Sequence, residues 1–377
     1  MSIRRIKALT KKEFIQMSRD IRSLGGALFI PLLMIFLFGY ALSLDVDRIP
    51  TVLLDNDRTA VSREFTHLLS NSRYFTLVRT LDRDSEIDVA LARREALMAL
   101  VIPVGFSSAV REGHKAPVQA IFDGSDSNTA SIAVGYFKAV AAGFDIALQE
   151  KRIRRAGLKM VEMPLEARIR VWFNPELKSK NFIIPGLAAV IMMAICALMT
   201  ALSVSRERET GTLEQLFSTP LSSMELLIGK LLPYLCVGLA DMALVVGAGV
   251  LIFDVPFRGS YLDLFVTTLI FLIGTLSWGL FISVISRTQL QASQIAMLSA
   301  YLPSFLLSGF IYPIENMPIV LQVITYIVPA RYFVEILQGL FLEGVGLPVL
   351  WPQLLALVIY AVLVLNLARK RFAKRLM

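Results

Sequence analysis

The chain has 377 residues, 55% of them hydrophobic and 18% charged, with a mean hydropathy of +0.64; that excludes an ordinary soluble domain and makes it a membrane protein. Its net charge of +8 is not a nucleic-acid footprint, because the basic residues crowd the two ends, where they report orientation.

Residues 1–23 carry Arg4, Arg5, Lys7, Lys11, Lys12, Arg19 and Arg22 among Ile3, Ile6, Phe14, Met17 and Ile21. This reads as a basic amphipathic helix on an anionic inner leaflet, against the alternative of a solvated basic tail. No small-residue cleavage site follows a short apolar core, so it is not a signal peptide. The apolar run 24–44 is the first expected span, since about 20 apolar residues cross the hydrocarbon core as a helix.

Residues 45–181 are polar and long enough for a domain. Short Val-, Ile- and Phe-rich runs such as PTVLLDND, YFTLVRT, LMALVIP and PVQAIFDG alternate with helical-period stretches, which predicts a small α/β domain. A long amphipathic stretch at about 127–156 and a strand-like ARIRVWF lead back to the membrane. His67 and His114 lack metal-ligand spacing. Asp55, Asp57, Asp123 and Asp126 follow strands, where ligands bind in α/β domains, but turn and helix-cap chemistry accounts for them as readily.

Further apolar runs lie at 182–204, 226–253, 264–286, 290–311 and 347–367. The fold class is therefore an α-helical polytopic membrane protein: six transmembrane helices, with the α/β extracytoplasmic domain inserted between the first and second, and five helices bundled in 182–377. Arg369, Lys370, Arg371, Lys374 and Arg375 close the chain, so both termini are expected in the cytoplasm. Cys196 and Cys236 lie in spans without a disulfide or metal pattern. Lys230 can snorkel toward the headgroups. Asp241 is nearer mid-span, and two readings stay open: a group on a substrate or proton path, or a packing carboxylate bonded to a neighbouring helix.

No G-x-x-x-x-G-K-[ST], H-E-x-x-H or G-x-S-x-G occurs, so no catalytic or phosphate-binding motif is present. Between the second and third spans stands SVSRERETGTLEQLFSTPLSSME. Thr212 precedes Gln215 with capping-box spacing, Thr219-Pro220 stops the helix, and Ser222-x-x-Glu225 opens the next span. The mixed charges suit a protein partner; the alternative is a solvated loop that merely sets topology.

That segment, with the later LLSGFIYPIENMPIVLQVITYIVPARYFVEILQGLFLEGVGL, closely resembles the type-2 ABC-transporter permease family, exporters of drugs, polysaccharides and lipids. The resemblance covers essentially the whole chain. It implies that 205–225 is a coupling helix docking into a separate ABC ATPase subunit through Arg206, Glu207, Arg208, Glu209, Thr210, Gly211, Thr212 and Glu214. It also implies that this chain binds no cofactor, ATP and Mg being held by two copies of that ATPase, and that it is not itself an enzyme. A second permease, identical or a sister chain, would complete the path in a bacterial inner membrane. A re-entrant outer gate at 312–346 would use Gly309, Pro313, Glu315, Pro329, Arg331 and Glu335, the last two also readable as a structural ion pair. Asp241 is the translocation-path candidate, a periplasmic adaptor could engage the outer domain, membrane lipids surround the spans, and nucleic acid is not a partner. The competing reading is a non-transporting anchor or sensor that presents the outer domain.

Overall fold

The computed structural model describes residues 2–41, 47–155, 172–174, 178–212 and 221–373. The chain divides into two compact units, Leu44–Ile169 and the remainder, Met1–Ser43 with Arg170–Met377. The larger opens with α1 (Ile3–Arg19) and α2 (Ile21–Ala41). The smaller then interrupts it with β1 (Ile49–Asp55), α3 (Ala60–Ser70), β2 (Phe75–Thr80), α4 (Ser85–Ala92), β3 (Met98–Ile102), α5 (Phe106–Glu112), β4 (Gln119–Phe122) and α6 (Ser127–Arg155).

In the smaller unit the sheet order is β2-β1-β3-β4. β1 runs parallel to both neighbours, with Thr51 opposite Met98, and β4 is antiparallel to β3. Strand periodicity sorts the core onto two faces. Ile49, Leu53, Met98, Leu100 and Ile102 pack with Phe65, Phe106 and Phe144 from α3, α5 and α6. Val52, Leu54 and Ala99 face Ile87 and Ala90 of α4. A near-continuous apolar β1 is what a central parallel strand covered on both sides requires. Thr59 and Ser62 form a reciprocal capping box that starts α3. The strand-like segment expected near 167–173 lies mostly outside the described residues.

The larger unit resumes with α7 (Ser179–Glu209), α8 (Ser223–Leu251) and α9 (Tyr261–Ile285). Then come α10 (Gln289–Ala296), a π turn (Met297–Tyr301), α11 (Leu302–Leu307) and a short 3₁₀ turn (Ile314–Asn316). It ends with α12 (Ile319–Thr325), α13 (Pro329–Gln338) running into a second π turn, and α14 (Leu347–Ala373). The α7 helix is the hub, buried from Ile183 to Met193 almost without interruption. Gly279 lets α9 approach it: a Cβ there would sit 2.0 Å from Thr200 Oγ1 and 2.2 Å from the Ala197 carbonyl oxygen. Phe271 of α9 stacks on Phe333 of α13, with ring centroids 4.0 Å apart.

Among the described residues, five helices are long and apolar enough to cross a membrane, or up to seven if two bent pairs each make one span. The bent pairs are α1 with α2, at 67°, and α12 with α13, at 83°. The span expected at 290–311 is an unbroken run of helical residues from Gln289 to Leu307 that widens into a π turn at Met297–Tyr301. Pro303 supplies the physical reason: it has no N–H to offer the preceding turn, and a π turn absorbs the offset. The stretch at 127–156, expected to be amphipathic, forms the single long helix α6, whose Thr129–Arg154 part is one of those five helices.

Candidate functional site

The site grows from the C-terminal end of α7. A helix ending in Arg206-Glu207-Arg208-Glu209 points successive side chains in different directions, about 100° apart, so each meets a different neighbour. Glu207 is 2% exposed and its Oε2 lies 2.7 Å from Lys230 Nζ of α8. Lys230, with no exposed surface, also reaches Glu13 Oε1 of α1 at 3.0 Å. Lys12 closes the ring, at 2.7 Å from Glu207 and 2.9 Å from Glu13. Two ammonium groups and two carboxylates thus alternate, and the charges cancel within the cluster. Burial works to raise the Glu13 carboxyl, but the ammonium groups of Lys230 and Lys12 outweigh it and hold it below the usual carboxylate range.

The neighbouring residues are tied just as specifically. Arg206 pairs with Asp20, at the α1–α2 break, and its Nε donates to Gln289 Oε1 at 3.3 Å. Arg208 donates to the carbonyls of Ser286 and Val284 at the end of α9. Glu209 accepts from the Gln289 backbone N–H at 2.7 Å and from its side-chain amide. Thr210, Gly211 and Thr212 are exposed at the tip, Gly211 at a positive φ of 74°. Glu214 and the expected short helix that follows lie outside the described residues, whereas the second capping box forms: Ser222 N donates to Glu225 Oε2 at 2.9 Å, and Glu225 N to Ser222 Oγ at 3.3 Å.

One expectation changes here. Lys230 does not snorkel to headgroups; it is fully covered because two carboxylates reach it. On α1, Leu9 and Glu13 pack inward, whereas Ile3 and Phe14 are exposed. Gly229 makes that contact close, since a Cβ there would fall 2.6 Å from Leu9 Cδ2. Sequence reasoning missed Lys12, Glu13, Asp20 and Gln289. One signal was available: Glu13 stands four residues after Leu9, an acid on an apolar helical face, and Lys230 in a span needs a counter-ion.

A cavity of about 290 Å³ lies beside this cluster. Glu13, Asp20 and Arg206 line one part of it, and Ala27, Ile30 and Leu198 another. It has the mixed character of a site for a molecule with both apolar and polar parts.

The outer candidates gather elsewhere. Gly309, at φ +83°, follows α11, Pro313 precedes the 3₁₀ turn containing Glu315, and Pro329 starts α13. Arg331 Nε lies 3.5 Å from Glu335 Oε1, and its guanidinium sits 4.1 Å over the Tyr326 ring. Glu335 in turn accepts from Gln353 of α14 at 3.1 Å. Asp241 joins neither group. It is 1% exposed, and among the described residues neither of its oxygens has a hydrogen-bond partner.

Residues 22–370 match the family model of the ABC-2 family transporter protein. The chain is 40% identical over 377 residues to the probable multidrug ABC transporter permease YbhS of Escherichia coli (strain K12), covering 100% of this chain and 98% of that one. It is 31% identical over 373 residues to the probable multidrug ABC transporter permease YbhR of the same organism, covering 99% of both. To its inner membrane transport permease YhhJ it is 30% identical over 333 residues, covering 86% of this chain and 85% of the other.

Proposed function

The chain belongs to the ABC-2 family of transporter proteins, and from that premise we propose that it is the membrane-spanning permease of an ATP-driven exporter. The observation that carries the mechanism is the cytoplasmic end of α7, bolted to α1 and α8 through Lys230 while its tip stays exposed. In this reading Glu209, Thr210, Gly211, Thr212 and Glu214 meet a separate ABC ATPase. Arg206, Glu207 and Arg208 hold the elbow to the helices it must move, and a displacement of the tip is shared among them instead of being lost in a loose loop. ATP and Mg belong to the partner, two copies of which serve a pair of permeases, identical or sister chains.

Six spans with both termini in the cytoplasm of a bacterial inner membrane fit the basic ends. The bent pair α2 with α1 then supplies one span and a surface helix, and α10 to α11, continuous through the π turn, supplies the fifth. That topology puts the α/β unit in the periplasm, where it can engage an adaptor, and puts the exposed Ile3 and Phe14 of α1 against lipid. The 83° bend between α12 and α13 serves as the outer gate, and Asp241 borders the path. The mixed lining of the inner cavity supports a hydrophobic or amphipathic substrate, a drug or a lipid-like molecule.

Charge reversal at Glu209 and Glu214 tests this directly. Export and co-purification of the ATPase should both be lost while the permease still inserts in the membrane. Normal export by the doubly reversed chain, or a native chain that never co-purifies with an ATPase, would sink the coupling role and favour an anchor.

A further inference from the structure

We propose that the α/β unit holds its own ligand pocket, built for a flat apolar molecule that carries an anionic group. The pocket has a volume of about 410 Å³ and lies between α5, the loop after it and the C-terminal half of α6. Its floor is aromatic. Phe65, Phe106 and Phe144 are all buried, with ring centroids 5.0 Å apart for Phe65 and Phe144 and 6.2 Å for Phe65 and Phe106. They are packed against one another, and with Val118, Ala141 and Leu148 they give the pocket an apolar floor.

Polar tethers keep the space open. Over its first half α6 lies on the sheet through Ala133, Phe137 and Val140. Past Phe144 it is held by ions and hydrogen bonds: Lys151 pairs with Glu64 of α3, and Arg152 donates to the Val110 carbonyl of α5. Leu148 packs on the same core one turn past Phe144, and together these contacts set α6 beside an open cleft. The volume falls within the usual range of small-molecule sites, about 300 to 1,000 Å³.

The rim sets the sign of the ligand. Lys115 and Arg152 line it, with His114 as a third group that becomes cationic on protonation. Among the described residues Lys115 has no acidic partner. The facing carboxylate is Asp145, which already accepts from Gln149 Nε2 at 3.0 Å. His114 is drawn to Glu112 at 3.3 Å, outside the lining. An aromatic or alicyclic carboxylate or sulfonate would set its ring on the phenylalanines and its anion between Lys115 and Arg152. This site is independent of the exporter reading, which assigns no ligand to the α/β unit.

The test uses the full chain in lipid nanodiscs and a photoreactive aromatic anion, 4-benzoylbenzoate, with uncharged benzophenone as the control. Crosslinks mapped by mass spectrometry should fall in peptides covering 106–118 and 141–152. Labelling there should drop about tenfold in Lys115→Glu and in Ala141→Trp, which fills the pocket, and persist in Lys115→Arg. Lys115 is exposed, so its substitution tests charge without disturbing the core. Equal labelling by benzophenone, labelling indifferent to the Lys115 and Ala141 substitutions, or labelling confined to the membrane helices would each overturn the proposal.

Discussion

Lys230 Nζ lies 2.7 Å from Glu207 Oε2, with neither side chain more than 2% exposed. Removing one member of a buried pair is costlier than never having had it, because the other charge is left without water or partner. Lys230→Met should therefore destabilise the chain by about 3–5 kcal/mol, read as a lowered thermal midpoint of the purified protein in detergent. Lys230→Arg should lose less. Adding Glu207→Gln to Lys230→Met should recover part of the loss, since the double change removes charges of both signs. Strictly additive losses would mean that the two residues do not act as a pair.

The approach of α9 to α7 makes a second, steric prediction. Gly279→Ala places a methyl 2.2 Å from a backbone carbonyl oxygen, which cannot swing aside. Overpacking of this kind costs about 1–3 kcal/mol or more, again measured as a fall in thermal midpoint. Thr200→Ala should not rescue it, because the Ala197 carbonyl remains.

Asp57 links stability to acidity in the α/β unit. Its carboxylate accepts from Gly105 N at 3.0 Å and Ser107 N at 3.1 Å, at the start of α5. The modest desolvation works to raise it, but the hydrogen bonds from Thr59, Ser107 and Gly105 win and hold the group below the usual aspartate range. A depressed folded value means the contribution is present above the unfolded pKa and is lost as pH falls through the folded one. Hydrogen exchange of peptides covering 105–112 should accelerate in Asp57→Ala at neutral pH, by an amount matching about 0.5–2 kcal/mol for a lost cap. The difference between Asp57→Ala and the parent should shrink as the medium is taken below the usual aspartate range. A pH-independent difference would refute the assignment.

At the α12–α13 bend, Arg331 is held by Glu335 on its own helix and by the Tyr326 ring just before it. Tyr326→Leu should loosen the α12–α13 corner by about 0.5–2 kcal/mol, the range of a partly buried cation–π contact. Arg331→Gln in addition should cost less than it does alone. Faster exchange in peptides covering 319–332 is the readout, and full additivity would show that the stacked geometry contributes nothing.

Local pattern carried much of the fold. The apolar runs at 182–204, 226–253, 264–286 and 347–367 coincide with α7, α8, α9 and α14, and the Ser222–Glu225 cap was readable from its spacing. Pro303 was visible too, but hydropathy averages over a proline and gives no sign of the π turn before it. What sequence could not supply was pairing at a distance. Glu13 and Lys230 are 217 residues apart, and neither residue alone reveals which of many opposite charges it meets. Helix spacing says which of the elbow charges share a face, and not that Arg206, Glu207 and Arg208 also pair within the chain.

The ring around Lys230 also has an order in time. Lys12, Glu13 and Glu207 all precede it in the chain, so during synthesis both carboxylates are made before the lysine that completes their neutralisation. Before that lysine leaves the ribosome, Lys12 can already pair with Glu207 and tie α1 to α7, but it alone faces both carboxylates. Membrane insertion of α8 then closes the ring, and a chain stopped short of residue 230 would leave Glu13 and Glu207 sharing one ammonium group.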